Sequence, residues 1–478
     1  MATTDADRFS TTHRPYQAAF LVVIVAISLV WPLALVPAAG LLIVLMASPY
    51  AAQLMLAYGA LLFGASVALS DVPLSVGFFK LYGADLFIIF VGWGMLARAL
   101  KREASLNVTE QRFVMLLAGI CAYGLFSAFI GFRHGHPYDE VLGWYRRLFF
   151  YMIPFVIPLW IPLQRRHLQS FKYMIFFGGL LVLALATYRI AAGQPLKQEI
   201  DWSVGHVSYR MISVSEYCVL SMFLAYSIVV LRLRSDLIGR ALALSLAGLA
   251  AVLLLLSGYR LGMALAIGTP VLTLGLVFWI RGGGARSFLH ASLATGVAAI
   301  PAIFLLTFFF SEQFGKAIFD LEVRFQELRV VGDYRVWIWS EVFQQARDRP
   351  LFGAGLGHDF TFLNRTRSGM FEIKSASTHS TVMSLLNQTG MIGMALYGVF
   401  HLAFVVYVIR NIRRIPSALH GVSIALISAY IVTMVASNLE PLRVGGYVAL
   451  YFTMGLVVRI LREHDTEWSA NQPPMTES

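Results

Sequence analysis

Long apolar runs separated by short polar segments dominate the chain. They cover roughly residues 17–31, 33–47, 52–70, 83–100, 112–131, 145–161, 171–191, 210–231, 241–257, 261–280, 288–310, 380–409, 421–437 and 446–461. A hydrocarbon core about 30 Å thick takes roughly 20 residues of helix to cross, and only helices or closed barrels satisfy their backbone groups inside it. These runs are continuous and do not alternate with a period of two, so helices are predicted and a barrel is not. The pattern predicts an all-α polytopic membrane protein with about 12 to 14 transmembrane helices. The range arises because the first two runs are short and hinge at Trp31 and Pro32. Either count is even, which places both termini on one side.

One polar segment, 311–378, is much longer than the other connections. Ile318, Phe319, Glu322, Val323 and Leu328 recur at helical spacing within 315–329, and Asp333 can cap a second helix with Val336, Trp339, Val342, Phe343 and Ala346 on one face. Trp337 and Trp339 favour a membrane interface. Arg349 and Pro350 then end the helix, and Gly353, Gly355 and Gly357 form a tight turn. No predicted strand precedes that triplet, which argues against a dinucleotide-binding loop. The predicted organisation is an N-terminal tail (1–16), a helix bundle (17–310), the large loop of amphipathic helices (311–378), further membrane helices (379–461) and a C-terminal tail (462–478).

Composition agrees with this reading. The chain is 58% hydrophobic and 13% charged, about half the charge of a soluble domain. The formal charge of +11 invites a nucleic-acid reading, but its distribution favours membrane topology. With the termini inside, cytoplasmic segments hold 19 lysines and arginines against 9 in short outer loops, so the positive-inside rule predicts cytoplasmic N and C termini and a periplasmic 311–378 loop. The loop itself carries 9 basic and 9 acidic residues and is no polybasic tether. The first span lacks a convincing cleavage site and is read as retained. Cys121 and Cys218 both lie in apolar runs and suggest neither a disulfide framework nor a metal site.

Arg133, Arg146, Arg147, Arg189, Arg210, Arg260 and Arg443 oppose the topogenic rule. Each can snorkel to lipid headgroups or pair with an acid; several on one face would hold a phosphate, for which the planar guanidinium is suited. His379 stands where the large loop becomes a helix. Thr378 or Ser377 can cap that helix, and the positive end of its dipole would lower the imidazole pKa and favour the neutral base. Such a base can take a proton from a sugar hydroxyl; a histidine bonded to a loop carbonyl is the competing reading. His358 and His206 are weaker candidates. His134 and His136, beside Asp139 and Glu140, form an HxH pair that is either a zinc site or simply solvated.

The run Arg335, Trp337, then Arg349 to Gly357 ("RPLFGAGLG"), followed by Thr378, His379, Ser380 and Leu385 to Gly393, resembles the shared C-terminal region of the O-antigen ligase and O-antigen polymerase family. Upstream, Ser257, Gly258, Tyr259, Arg260 and Gly262 resemble the family's outer arginine at the top of a helix, and Tyr209 and Arg210 begin another. The resemblance implies a metal-independent membrane glycosyltransferase of the GT-C type in the bacterial inner membrane, without a cofactor. Its donor would be a glycan on undecaprenyl pyrophosphate, and its acceptor a glycan or lipid-linked sugar. It further implies that Arg210 and Arg260 hold the pyrophosphate, with Arg335 as a further substrate-binding residue, and that His379 activates or positions the acceptor hydroxyl. Glu216 departs from the pattern, standing where small and amide residues are expected. Membrane lipids are expected partners and nucleic acid is not. A lipid-linked sugar flippase and a non-catalytic assembly scaffold are the alternative functions.

Overall fold

The structure is a computed structural model. It describes residues 74–76, 79–81, 85, 88, 106–161, 163, 165–192, 197–201, 206–210, 214–233, 236–256, 260–281, 334–358, 361–365, 371–375, 378, 380–415, 419–439 and 444–470. A short hairpin, β1 (Leu74–Val76) and β2 (Phe79–Leu81), precedes α1 (Val108–Arg133) and α2 (Tyr138–Leu148). A 3-10 segment (Phe150–Phe155) leads into the single turn α3 (Ile157–Trp160) and the long α4 (Arg165–Ala191). Next come β3 (Lys197–Asp201), β4 (His206–Arg210), α5 (Val214–Leu233), α6 (Leu237–Leu256) and α7 (Arg260–Arg281). The described part of the large loop holds α8 (Tyr334–Asp348), β5 (Thr361–Arg365) and β6 (Phe371–Ser375). The chain continues through α9 (Thr381–Asn411), α10 (His420–Leu439) and α11 (Val444–Ala470).

Among the described residues, five helices are long and apolar enough to cross a membrane: Val108–Arg133, His167–Arg189, Leu237–Leu255, Thr381–Arg414 and His420–Asn438. This is a polytopic membrane protein. The runs expected at 17–31, 33–47, 52–70, 83–100 and 288–310 lie outside the described residues, apart from Asp85 and Ile88.

Burial separates central helices from those that face lipid. From Glu216 to Val229, α5 is buried on nearly every side, and it packs against α4, α6, α7 and α10; a helix apolar all round belongs in such a position. In contrast, α1 buries Phe113, Leu117, Ile120 and Ala128 while exposing Met115, Leu125, Phe126 and Phe129. That stripe-and-back pattern is a helix with protein on one face and lipid on the other. At the start of α1, Asn107 and Glu110 form a capping box, and the fully buried Glu110 carboxylate also accepts from Arg462 at 2.8 Å. One residue thereby closes the start of α1 and ties it to α11.

One expectation requires correction. The run at 145–161 is no continuous helix: α2 ends at Leu148, and Pro154 and Pro158 leave a 3-10 segment and a single helical turn in its place. Proline removes a backbone donor and collides with the preceding turn, so a regular helix cannot pass through both positions. Among the described residues, three two-stranded antiparallel hairpins accompany the helices. One pairs Lys197 with Arg210 through Asp201 with His206, and another pairs Thr361 with Ser375 through Arg365 with Phe371. The second lies in the segment expected to hold amphipathic helices. Of those, α8 is present, with Ile338 and Val342 buried and Phe343 exposed, while the helix expected at 315–329 lies outside the described residues.

Candidate active site at the outer end

The end of the bundle where the large loop lies is organised by an interruption in α9. Gly390 adopts φ 66°, ψ −167°, a backbone conformation open essentially to glycine alone. A straight helix would bond Met391 N–H to Asn387 O and Ile392 N–H to Gln388 O. Instead the glycine-rich turn enters the break and takes over all four groups. Ala354 N–H donates to Asn387 O (2.9 Å) and Gly355 N–H to Gln388 O (3.0 Å). Met391 N–H donates to Pro350 O (2.8 Å) and Ile392 N–H to Leu351 O (3.3 Å).

Helix α1 closes the far side of this clasp. Leu356 N–H donates to Ser127 O (3.2 Å), the Ser127 hydroxyl donates to Gln388 O (3.2 Å), and the Tyr123 hydroxyl donates to Thr389 O (2.7 Å). Gly353, Gly355 and Gly357 all have positive φ, and a Cβ on Gly355 would lie 2.6 Å from Gly131 N. The turn is therefore glycine-rich because three strands of backbone meet there. "PLFGAGLG" and "QTGMIG" are the two halves of one structural joint, and neither needs a role in chemistry.

The joint also divides the helix by environment. Met391–Asn411 is long enough, at 1.5 Å per residue, to cross about 30 Å by itself, without Thr381–Gly390. Burial agrees: Thr381 and every residue from Ser384 to Gly390 is buried by protein, whereas beyond the break Met391, Val399, Leu402 and Ile409 are exposed apolar side chains.

The outer start of α9 is held by polar contacts from three elements. Ser380 is the N-cap, accepting from Met383 N–H, in place of the expected Thr378 or Ser377, because the cap must lie three residues before the amide it serves. Asn438, at the end of α10, accepts from Val382 N–H and the Ser380 hydroxyl, both at 3.3 Å, while its amide donates to Met434 O. Thr381 donates to Ser437 O and meets the Tyr447 hydroxyl, each at 3.0 Å. Thr378 is buried, with its hydroxyl 2.6 Å from Ser384 Oγ, and its carbonyl accepts from the Trp339 indole of α8 at 3.0 Å. His379 falls between these two anchored neighbours and lies outside the described residues.

The arginines expected to bind substrate are located by their backbones. Arg260 is the first residue of α7, and Arg335 the second of α8. Arg210 does not begin a helix: it is the last residue of β4, paired with Lys197. The alternation of Val207 and Tyr209 with His206, Ser208 and Arg210 explains why this stretch is extended. Both α5, which follows β4, and α7 pack against α10, whose last turn carries Asn438. The chain thus brings the start of α7, the entry to α5 and the anchored start of α9 to the same end of one helix group.

Other expected residues have structural partners. Arg189, at the end of α4, places one guanidinium nitrogen 3.0 Å from both oxygens of the buried Glu216, so the departure at Glu216 has a partner in the preceding helix. Arg146 bonds the buried Asp85 at 3.2 Å. His134 Nδ1 and His136 Nε2 both face the Ala354 carbonyl, at 3.0 and 3.3 Å, so the HxH pair braces the glycine turn. Among the described residues, no group of three or more histidine, cysteine or acidic side chains is arranged to hold a metal.

Reading by residue type missed Asn438, Tyr447 and Thr381, and it assigned Trp339 to the membrane interface, where the structure gives its indole to the Thr378 carbonyl. A signal was present in the polar series Thr381, Ser384, Asn387, Gln388 and Thr389, which is too dense for a lipid-facing helix. Comparison with known families places this end of the chain. Residues 242–398 match the O-antigen ligase family model. The match covers roughly a third of the chain and runs from α6 through the glycine turn to beyond the α9 break. It contains Arg260, Arg335, His379 and the clasp, whereas Arg210 precedes it. No curated protein matches the chain.

Proposed function

We propose that the protein transfers a glycan from undecaprenyl pyrophosphate to an acceptor sugar hydroxyl at the periplasmic face of the bacterial inner membrane, as an O-antigen ligase or polysaccharide polymerase. The observation that carries this reading is the O-antigen ligase domain at 242–398, which contains Arg260, Arg335 and His379. The bundle would be of the GT-C type with about 12 to 14 crossings, and both termini would be cytoplasmic.

In this reading, Arg210 and Arg260 bind the donor pyrophosphate, and Arg335 contributes a further substrate contact. The acceptor hydroxyl attacks the anomeric carbon, the bond to the pyrophosphate oxygen breaks, and undecaprenyl pyrophosphate leaves with its charge balanced by the arginines. His379 takes the hydroxyl proton and passes it to water. A fixed α9 start favours this chemistry, since alignment of the hydroxyl with the anomeric carbon supplies much of the rate. No metal is needed in this scheme, because guanidinium groups supply the countercharge.

The test is transfer in reconstituted membranes containing the lipid-linked donor and an acceptor. Arg260→Ala and His379→Ala are each expected to abolish new glycosidic bonds at unchanged protein level and donor pool. Near-normal transfer by both variants would overturn the assignment. Cells lacking the protein would accumulate unattached long chains if it is a ligase, and single repeats if it is a polymerase.

A further inference from the structure

The histidine pair and Arg349 form a second cationic feature at the outer end, separate from the arginines assigned to the donor. Arg349 Nη1 lies 3.3 Å from His134 Nδ1, the same ring nitrogen that faces the Ala354 carbonyl at 3.0 Å. One imidazole nitrogen cannot serve both contacts. If its hydrogen goes to the carbonyl, it has no lone pair for the guanidinium, and the Arg349 N–H that faces it lacks an acceptor at this contact. His136 extends the row, with its ring centroid 6.1 Å from that of His134 and 5.4 Å from that of His358. Both rings of the pair are held by the Ala354 carbonyl, inside the clasp, so the row is rigid. Asp139, Glu140 and Asp348 lie in neighbouring sequence, yet no described carboxylate is within ion-pair distance of Arg349.

Aromatic side chains adjoin this row. Phe126, Phe129, Phe132, Tyr138 and Phe352 are exposed at the same end of α1, α2 and the turn. Phe132 stacks on Tyr138 at 5.1 Å, and Phe126 meets Phe352 edge-on at 5.7 Å. Tyr138 is of the residue type that collects at the boundary between acyl chains and headgroups, and the exposed phenylalanines beside it offer apolar surface to acyl chains. Phe132 directly precedes Arg133 and His134, and Phe352 follows Arg349 by three residues, so cations and imidazoles adjoin these exposed rings.

We propose that Arg349, His134 and His136 form a seat for the phosphate of an anionic outer-leaflet phospholipid, with the adjacent aromatics against its acyl chains. The guanidinium donates to the phosphate oxygens beside the two rings that the Ala354 carbonyl holds, and the lipid thereby braces the glycine turn from outside. No bond is made or broken.

The test uses the purified full-length protein in phosphatidylcholine nanodiscs doped with phosphatidylglycerol, with retained lipid counted by native mass spectrometry. Wild type is expected to retain phosphatidylglycerol in preference to phosphatidylcholine. Arg349→Gln should lower that retention about fivefold, the effect of one basic residue near a charged surface, and His134→Gln should lower it further. Arg347→Gln, which removes an equal charge one turn position away, should leave it unchanged. Equal retention by wild type and Arg349→Gln, or an equal loss in Arg347→Gln, overturns the seat. Displacement of the lipid by millimolar inorganic phosphate overturns the lipid as its occupant. Thermal midpoints of the variants in nanodiscs check that each is folded, and the preference of wild type is a readout independent of any substitution.

Discussion

Replacing Gly390 by alanine tests whether the joint between the glycine turn and α9 holds the outer end together. A Cβ at this position would lie 2.6 Å from Gly353 N and still nearer the Leu351 carbonyl, and both neighbours are backbone, which cannot rotate aside. The turn must move, and the bonds from Ile392 N–H to Leu351 O and from Met391 N–H to Pro350 O are the first to open. Each of the two bonds lost costs about 0.5–1.5 kcal/mol net, and alanine in this glycine conformation adds about 1–3 kcal/mol of strain. The sum is about 2–6 kcal/mol, a large fraction of the stability of most folded proteins. Gly398, on the same helix, has nothing within 4 Å of its would-be Cβ, so Gly398→Ala provides a matched control expected to be neutral or slightly stabilising. The assay is the thermal midpoint in detergent, with amide exchange at Ala354 and Gly355 as a local readout. If Gly390→Ala matched Gly398→Ala in both, the exchanged hydrogen bonds would not be a stabilising joint, and the structural account of the two glycine motifs would fail.

Arg189→Ala should destabilise the protein by about 1.5–3 kcal/mol, because it removes the charge-assisted contacts that its guanidinium makes to the buried Glu216 carboxylate, and Arg189→Ala with Glu216→Gln should recover part of that loss; denaturation midpoints of the two variants decide it. Trp339→Phe keeps the ring but removes the donor to the Thr378 carbonyl, so glycan transfer should fall by up to about tenfold with little change in stability; an unchanged transfer rate would show that this anchor does not bear on the reaction.

Much of the architecture was legible because lipid imposes a simple rule on sequence. The α4, α6, α7 and α10 helices follow their apolar runs to within a few residues, since each run had to satisfy its own backbone groups. The rule weakens where protein replaces lipid. Residues 145–161 are as apolar as a spanning helix, but their prolines leave a 3-10 segment, which the bundle can bury. Arg210 follows the same logic: it adjoins an apolar run, yet the alternating stretch around it pairs with 197–201 to form a hairpin.

Where the large loop meets the bundle, the residues alone are enough to show a long polar segment, glycines crowded into one turn, and arginines that stand against the topogenic rule. Those are properties of local composition, which a membrane reads residue by residue. What the glycines do is set by the folded chain, because the groups that replace the broken α9 bonds come from residues 350–355, and α1 closes the joint from more than two hundred positions earlier. The folded chain also decides that Asn438 and Trp339 hold the start of α9 and that Arg189 answers Glu216. Hydrogen bonds between distant segments leave no periodic trace in a chain, since each requires only one polar atom at the right point in space.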